Sequence, residues 1–208
     1  MSKIRLWGHP KSINVQKVLW ALDELDLEFQ GVDAGGKFGR VKDADYLTLN
    51  PNGLVPTLED GNAAIWESNT ILRYLAGKYG AAPFLPTDLA HRARADAWTD
   101  WSSLTFWASV RPLIVQLVRT PEAERDQALI ARSTREANAA IAILDRELGR
   151  KRFVAGDDFT FGDIPLGAVA QRWFNLPIER PTASAVQAWY DQVKQRPGFK
   201  RWVDLPLY

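Results

Sequence analysis

The sequence predicts an α/β domain over residues 1–80, a linker over 81–87 and an all-α domain over 88–208. Three observations carry this reading. Hydrophobic spacing switches repeatedly between strand and helix periods up to about residue 80, and keeps the helix period thereafter. Between them, Gly80 to Asp88 contains Pro83 and Pro86 and turns polar, as a linker feeding a helix N-terminus does. With 208 residues, 46% of them hydrophobic, each unit has enough apolar material for a core.

In chain order, Ile4 and Leu6 alternate with Lys3 and Arg5, the period of a half-buried strand. After Gly8-His9-Pro10, Val15, Val18, Leu19, Leu22 and Leu25 form a helical stripe. Phe29 and Val32 mark a second strand that ends in a glycine-rich stretch, Gly35 to Gly39. A short helix over 43–49 precedes the turn cluster Asn50-Pro51-Asn52-Gly53. Leu54 to Glu59 and Ala63 to Trp66, around Asp60-Gly61-Asn62, read as a hairpin. A helix with Ile71, Leu72, Leu75 and Tyr79 on one face completes a β-α-β-α-β-β-α order.

Beyond the linker, Trp98, Trp101, Leu104 and Trp107 fall on one helical stripe within 88–118. Thr120-Pro121-Glu122 reads as the start of a further helix, whose later stripe is Ala137, Ile141, Leu144 and Leu148. Thr160 to Asp163 has capping-box spacing ahead of an apolar stretch through Trp173. A last helix is expected from Ser184 to Gln195, stopping before Pro197.

Charge and composition exclude several functions. The 26 basic and 25 acidic residues leave a net charge of +1, which argues against a generic nucleic-acid binder. The start has no signal-peptide core and no apolar run is long enough to span a membrane, so the expectation is a cytoplasmic protein without membrane or nucleic-acid partners. There is no cysteine, so thiol chemistry would have to use a sulfur brought by a ligand. No metal site is expected; His91 has no ligand-type neighbour at metal spacing.

Three clusters carry the chemistry: Gly8-His9-Pro10-Lys11-Ser12 between strand and helix, Asn50-Pro51-x-Gly53-x-Val55-Pro56 before the third strand, and Glu67-Ser68 opening the third helix. In this order and spacing they resemble the glutathione transferases, most closely the serine-using theta and phi branches, and Phe159 to Ile164 resembles that family's capping box. The resemblance covers nearly the whole chain and implies a thioredoxin-like fold for the first domain, with glutathione as co-substrate.

Ser12 sits where a hydroxyl and free backbone N–H groups meet beyond a helix N-terminus, a place that favours an anion. The resemblance gives Ser12 the role of donating to the glutathione sulfur, with Asn14 as the alternative donor. A cis Val55–Pro56 bond, implied by the family, turns the backbone after Leu54 outward to pair with the cysteinyl part of glutathione as a strand edge would. Glu67 and Ser68 match the ammonium and carboxylate of its γ-glutamyl end. For the glycyl carboxylate, Lys42 falls where phi-type relatives carry a lysine, and Lys37 is the alternative; Val41 departs from the histidine those relatives often have. His9, between Gly and Pro, reads as structural.

The electrophile pocket is expected between the domains. Trp107 and Arg111, one helical turn apart, are the candidates to line it, with Trp173 a weaker one. The resemblance implies a homodimeric detoxifying transferase attacking an electrophilic carbon or a peroxide. Dehalogenation, ether cleavage or isomerisation on the same scaffold, and a non-catalytic ligand-binding module, are the rival readings.

Overall fold

Four short strands, β1 (Ile4–Trp7), β2 (Phe29–Val32), β3 (Thr57–Asp60) and β4 (Ala63–Trp66), form one mixed sheet in the order β2-β1-β3-β4 in the computed structural model, which describes residues 4–207. β1 and β2 are parallel, with Ile4 opposite Phe29, and the remaining pairs are antiparallel, with Leu6 opposite Leu58 and Leu58 opposite Ile65. The parallel crossover is α1 (Ile13–Glu24), which packs beside α3 (Ser68–Tyr79). Ile4 and Leu6 join the main core, while Trp7 belongs to a second cluster with Ala34 and with Tyr46 of α2 (Ala44–Leu49). β1 is therefore covered on both faces, beyond the half-buried strand its alternation suggested. Lys3, part of that alternation, lies outside the described residues.

In the C-terminal domain α4 (Leu89–Trp101) continues through a π-helical segment, 102–106, into α5 (Trp107–Ile114), which ends in a second π segment, 115–119. The wider π turn shifts the stripe expected from the sequence. Leu104 is 79% exposed and Phe106 takes the buried place. Thr120-Pro121 does not open the next helix either. Residues 122–124 make only a single tight turn, and α6 (Gln127–Leu148) starts after Asp126, whose carboxylate accepts from the Leu129 amide at 2.9 Å. Arg125 uses the intervening loop to donate to the carbonyls of Thr120 and Leu117.

α7 (Asp163–Asn175) begins at the expected capping box, where Oδ2 of Asp163 accepts from the Thr160 amide at 2.9 Å and from its hydroxyl at 3.2 Å. α8 (Ser184–Val193) is followed by a helix the sequence reading missed, α9 (Pro197–Trp202). The previous helix does stop before Pro197, as expected, and Pro197 also starts the new one, because a first-turn residue needs no N–H and its fixed φ suits the helix.

One core runs through both domains. Trp20 of α1 is fully buried, and a Cβ at Gly167 of α7 or Gly198 of α9 would come within 2.9 or 2.5 Å of its ring. Arg196 closes the contact with a bidentate pair to Glu24 at 2.7 and 2.5 Å.

Candidate functional site

Ser12 precedes α1 in an extended conformation (φ −82°, ψ 122°); its carbonyl accepts from the Gln16 amide at 2.9 Å, but its hydroxyl makes no capping bond. The usual job of a serine here is thus left undone, and the hydroxyl stays available beside the positive end of the helix. Ser12 lines a cleft of about 330 Å³ between the domains, together with His9, Lys11, Trp107 and Arg119. His9 packs on the glycine-rich loop, its ring 6.1 Å from that of Phe38, and partial burial holds its pKa below the ordinary value, opposed by Asp33.

A second cleft, of about 340 Å³, adjoins the first at Trp107 and is lined by Asn14, Glu67, Ser68, Asn69 and Arg73 among others. Oδ1 of Asn14 accepts from Lys17 Nζ at 3.1 Å and from the Ser68 hydroxyl at 3.3 Å, while the amide Nδ2 has no acceptor among the described residues. Lys17 is buried, and burial, with Arg172 adding repulsion and Glu67 opposing, brings its pKa down to about 8. Glu67 itself stands at φ +67°, a left-handed backbone that a non-glycine residue adopts only under constraint.

The loop before β3 is held from inside. The Tyr46 hydroxyl donates to the Leu54 carbonyl at 2.6 Å, and Asn50 Nδ2 donates to the same carbonyl at 2.8 Å and to the Thr57 hydroxyl at 3.1 Å. Gly53 is needed at the turn, with φ +62° and only 2.7 Å between a would-be Cβ and the Val41 carbonyl. Val55–Pro56 is cis, and among the described residues the backbone N–H and C=O of Val55 have no partner in the chain. Leu54 has its carbonyl committed and its side chain 65% exposed. Lys42 is exposed, with its ammonium against Gly53, while Lys37 lies over the Phe38 ring at 5.0 Å.

Thus Ser12, Asn14, Glu67 and Ser68 fall on two clefts that share Trp107. Arg111 is exposed and lines neither. Four helical residues carry it about 40° past Trp107, whereas Ile114, seven residues on, returns to within about 20° and does line the first cleft. Trp173 is buried, its indole N–H donating to Asn138 Oδ1 at 3.2 Å; its neighbour Arg172 reaches the cleft instead.

Sequence reasoning missed Lys17, Gln16, Tyr46 and Arg172. Gln16 links the domains: its Nε2 donates to the Pro10 carbonyl at 2.6 Å and its Oε1 accepts from Arg172. The available signal was a polar pair, Gln16-Lys17, beside the apolar stripe of α1. Among the described residues no group of three His, Cys, Asp or Glu side chains is placed to hold a metal, and no helix is long and apolar enough to cross a membrane.

Chemically, the arrangement joins an anion position with a free hydroxyl donor, an unpaired strand-like backbone edge, and a mixed-charge cleft suited to a zwitterion. Comparison with known proteins gives the same direction. Residues 2–77 match the family model of the glutathione S-transferase N-terminal domain, and residues 127–205 match that of the C-terminal domain. Glutathione S-transferase GstB of Escherichia coli (strain K12) is 42% identical over 206 residues, covering 98% of this chain and 99% of that protein. Glutathione S-transferase 3 of Zea mays is 31% identical over 210 residues, covering 98% and 94%. The crystal structure of the theta class glutathione S-transferase from Xanthomonas axonopodis pv. citri with glutathione bound superposes with a TM-score of 0.94 at 43% identity, covering 100% of both chains.

Proposed function

Since this chain belongs to the glutathione S-transferase family, we propose that it binds glutathione along the exposed edge of the N-terminal domain, ionises the thiol and directs the thiolate at an electrophilic carbon or a peroxide. The observation that carries this reading is the Ser12 hydroxyl at the N-terminus of α1, which makes no capping bond and has no hydrogen-bond partner among the described residues. A thiol of pKa about 8.5 is only a few per cent ionised at neutral pH, and a shift of two units takes about 2.7 kcal/mol. One hydrogen bond to a charged acceptor supplies about 1.5–3 kcal/mol, so Ser12 with the helix dipole is sufficient. The thiolate is the nucleophile, no covalent enzyme intermediate forms, and the protein contributes position and electrostatics.

In this reading Ser12 donates to the sulfur, with Asn14 Nδ2 as a second donor. Val55 pairs with the cysteinyl backbone through its unpartnered N–H and C=O, beside Leu54 and Pro56. Glu67 takes the γ-glutamyl ammonium and Ser68 its carboxylate, and Lys42 or Lys37 the glycyl carboxylate. Trp107 walls the electrophile. We assign the enzyme to the glutathione-containing cytoplasm, where it detoxifies reactive electrophiles as an isologous homodimer, without a metal. Leu89 and Leu104, 75% and 79% exposed, offer apolar surface for that pairing.

Calorimetric titration with glutathione, followed by turnover on a panel of electrophiles, tests the reading. Binding with turnover is the expected result. Binding without turnover on any electrophile would favour a non-catalytic ligand-binding module, and absence of binding would refute the assignment.

A further inference from the structure

Gln16 is 1% exposed beside the apolar stripe of α1, where a polar side chain is costly unless both ends of its amide are bonded. Both ends are, and each to a different domain. Nε2 donates to the Pro10 carbonyl at 2.6 Å, and Oε1 accepts from the guanidinium of Arg172 in α7. A guanidinium only donates and a carbonyl only accepts, so these two partners fix which way round the amide lies. Arg172 is itself 8% exposed and is braced by the Ala168 carbonyl at 3.0 Å.

The grip falls on the chain around Ser12. The Gln16 backbone N–H takes the Ser12 carbonyl at 2.9 Å. Its side chain points back toward the helix N-terminus, as helical side chains do, and takes the carbonyl two residues before Ser12. Pro10 and Lys11 are exposed, so packing does little to hold this segment. The Ser12 amide closes a turn onto the His9 carbonyl at 3.1 Å, which ties the serine backbone to the same short stretch. With no capping bond on its hydroxyl, Ser12 points where that backbone aims it. An apolar pair at 16 and 172 could join the domains about as well. An amide that also reaches Pro10 orients the neighbouring hydroxyl.

We propose that Gln16 is a positioning residue for thiol activation: held by Arg172 of the second domain, it fixes the Pro10–Ser12 segment so that the Ser12 hydroxyl meets the glutathione sulfur. This rests on the transferase reading. Gln16 acts through Ser12 and not on the ligand. A hydrogen bond to a thiolate depends on distance and alignment, and a misplacement of about 1 Å can cost about 100-fold in rate. The helical domain thereby helps to set the acidity of a thiol bound on the other domain.

The test follows the ultraviolet absorbance of the bound thiolate across pH, and turnover with iodoacetamide, in the natural chain, Gln16→Met, Ser12→Ala and the double variant. Gln16→Met alone is expected to move the thiolate titration up by about half to one pH unit. It should cut kcat at the acid end of the profile by roughly 3- to 10-fold, with KM for glutathione little changed. With Ser12→Ala already present the same substitution should add little, since the hydroxyl it aims is gone. A titration unmoved by Gln16→Met, or moved equally in both backgrounds, overturns the positioning role and leaves the transferase reading intact. Should Gln16→Met unfold by stranding the buried guanidinium, Gln16→Glu keeps an acceptor for Arg172 and still removes the donor to Pro10. Its added charge acts in both backgrounds, so the role requires a larger shift with Ser12 present, and an equal shift overturns it. A natural chain that binds no glutathione overturns both readings.

Discussion

Lys17 donates its ammonium to Oδ1 of Asn14 at 3.1 Å, and the same oxygen accepts the Ser68 hydroxyl at 3.3 Å, so one amide joins a buried cation in α1 to the first residue of α3. Lys17 is 1% exposed and forms no ion pair among the described residues. Its charge is thus held near the anion position of α1 without being cancelled by a contacting carboxylate.

That placement costs stability. The folded pKa of about 8 lies below the 10.5 of a free lysine, so between those values the unfolded chain binds more protons and stability rises with pH. Below pH 8 the full penalty, about 3 kcal/mol, is present. Lys17→Met is therefore expected to be about 1–3 kcal/mol more stable than the natural chain at pH 7, with the advantage shrinking toward pH 10. Urea unfolding of both proteins across this range checks it; parallel pH curves would remove the assignment.

The same substitution is expected to raise the pKa of bound glutathione, because Asn14 loses its orienting donor and the site loses a positive charge. The pH profile of kcat/KM and the ultraviolet absorbance of the bound thiolate read this directly. Lys17→Arg should restore part of the shift, which a purely structural role would not.

Ser12→Ala removes the free hydroxyl but no capping bond. Helix stability should change by less than about 1 kcal/mol, as seen in Tm. Turnover should fall by roughly 10- to 150-fold, corresponding to one charge-assisted hydrogen bond, with glutathione affinity nearly unchanged. Full turnover in this variant would transfer the role to Asn14 or to backbone groups.

Tyr46→Phe leaves the ring in the Trp7 cluster and deletes only the hydroxyl that holds the Leu54 carbonyl and contacts Thr57. The backbone at Val55 should then be less well positioned, raising KM for glutathione several-fold with kcat little changed, and stability should drop by about 1 kcal/mol. Steady-state kinetics with varied glutathione separates the two parameters.

Asp163→Ala should be far more damaging. It strips acceptors from the Thr160 and Val154 amides and from the Trp189 indole, all buried. A loss of about 3 kcal/mol or more is expected in denaturant unfolding at pH 7.

Period and turn chemistry made the elements of the first domain legible, since Val15, Val18, Leu19 and Leu22 all turn inward and Asp60-Gly61-Asn62 does connect a hairpin. Leu104 and Thr120 misled for local reasons: a π turn rotates the stripe, and a stronger cap at Asp126 lies six residues further on. Pro197 does mark the end of α8, but the helix it opens was missed because proline suits a first turn as well as a break. Clustered motifs marked Ser12, Val55 and Glu67. What spacing along the chain does not carry is contact between distant segments. Gln16 meets Arg172 across 156 positions, and the cations beside Ser12 come from 11, 119 and 172.

Trp20 belongs to α1 by sequence but rests against Gly167 and Gly198 of the other domain. An isolated fragment ending near residue 80 would expose this indole and lose the Arg196 clasp on Glu24, so the helix that presents Ser12 has no independent fold to fall back on. The two halves are therefore expected to melt as one cooperative unit, with the Ser12 hydroxyl and the cleft wall supplied by the second domain separating only on unfolding.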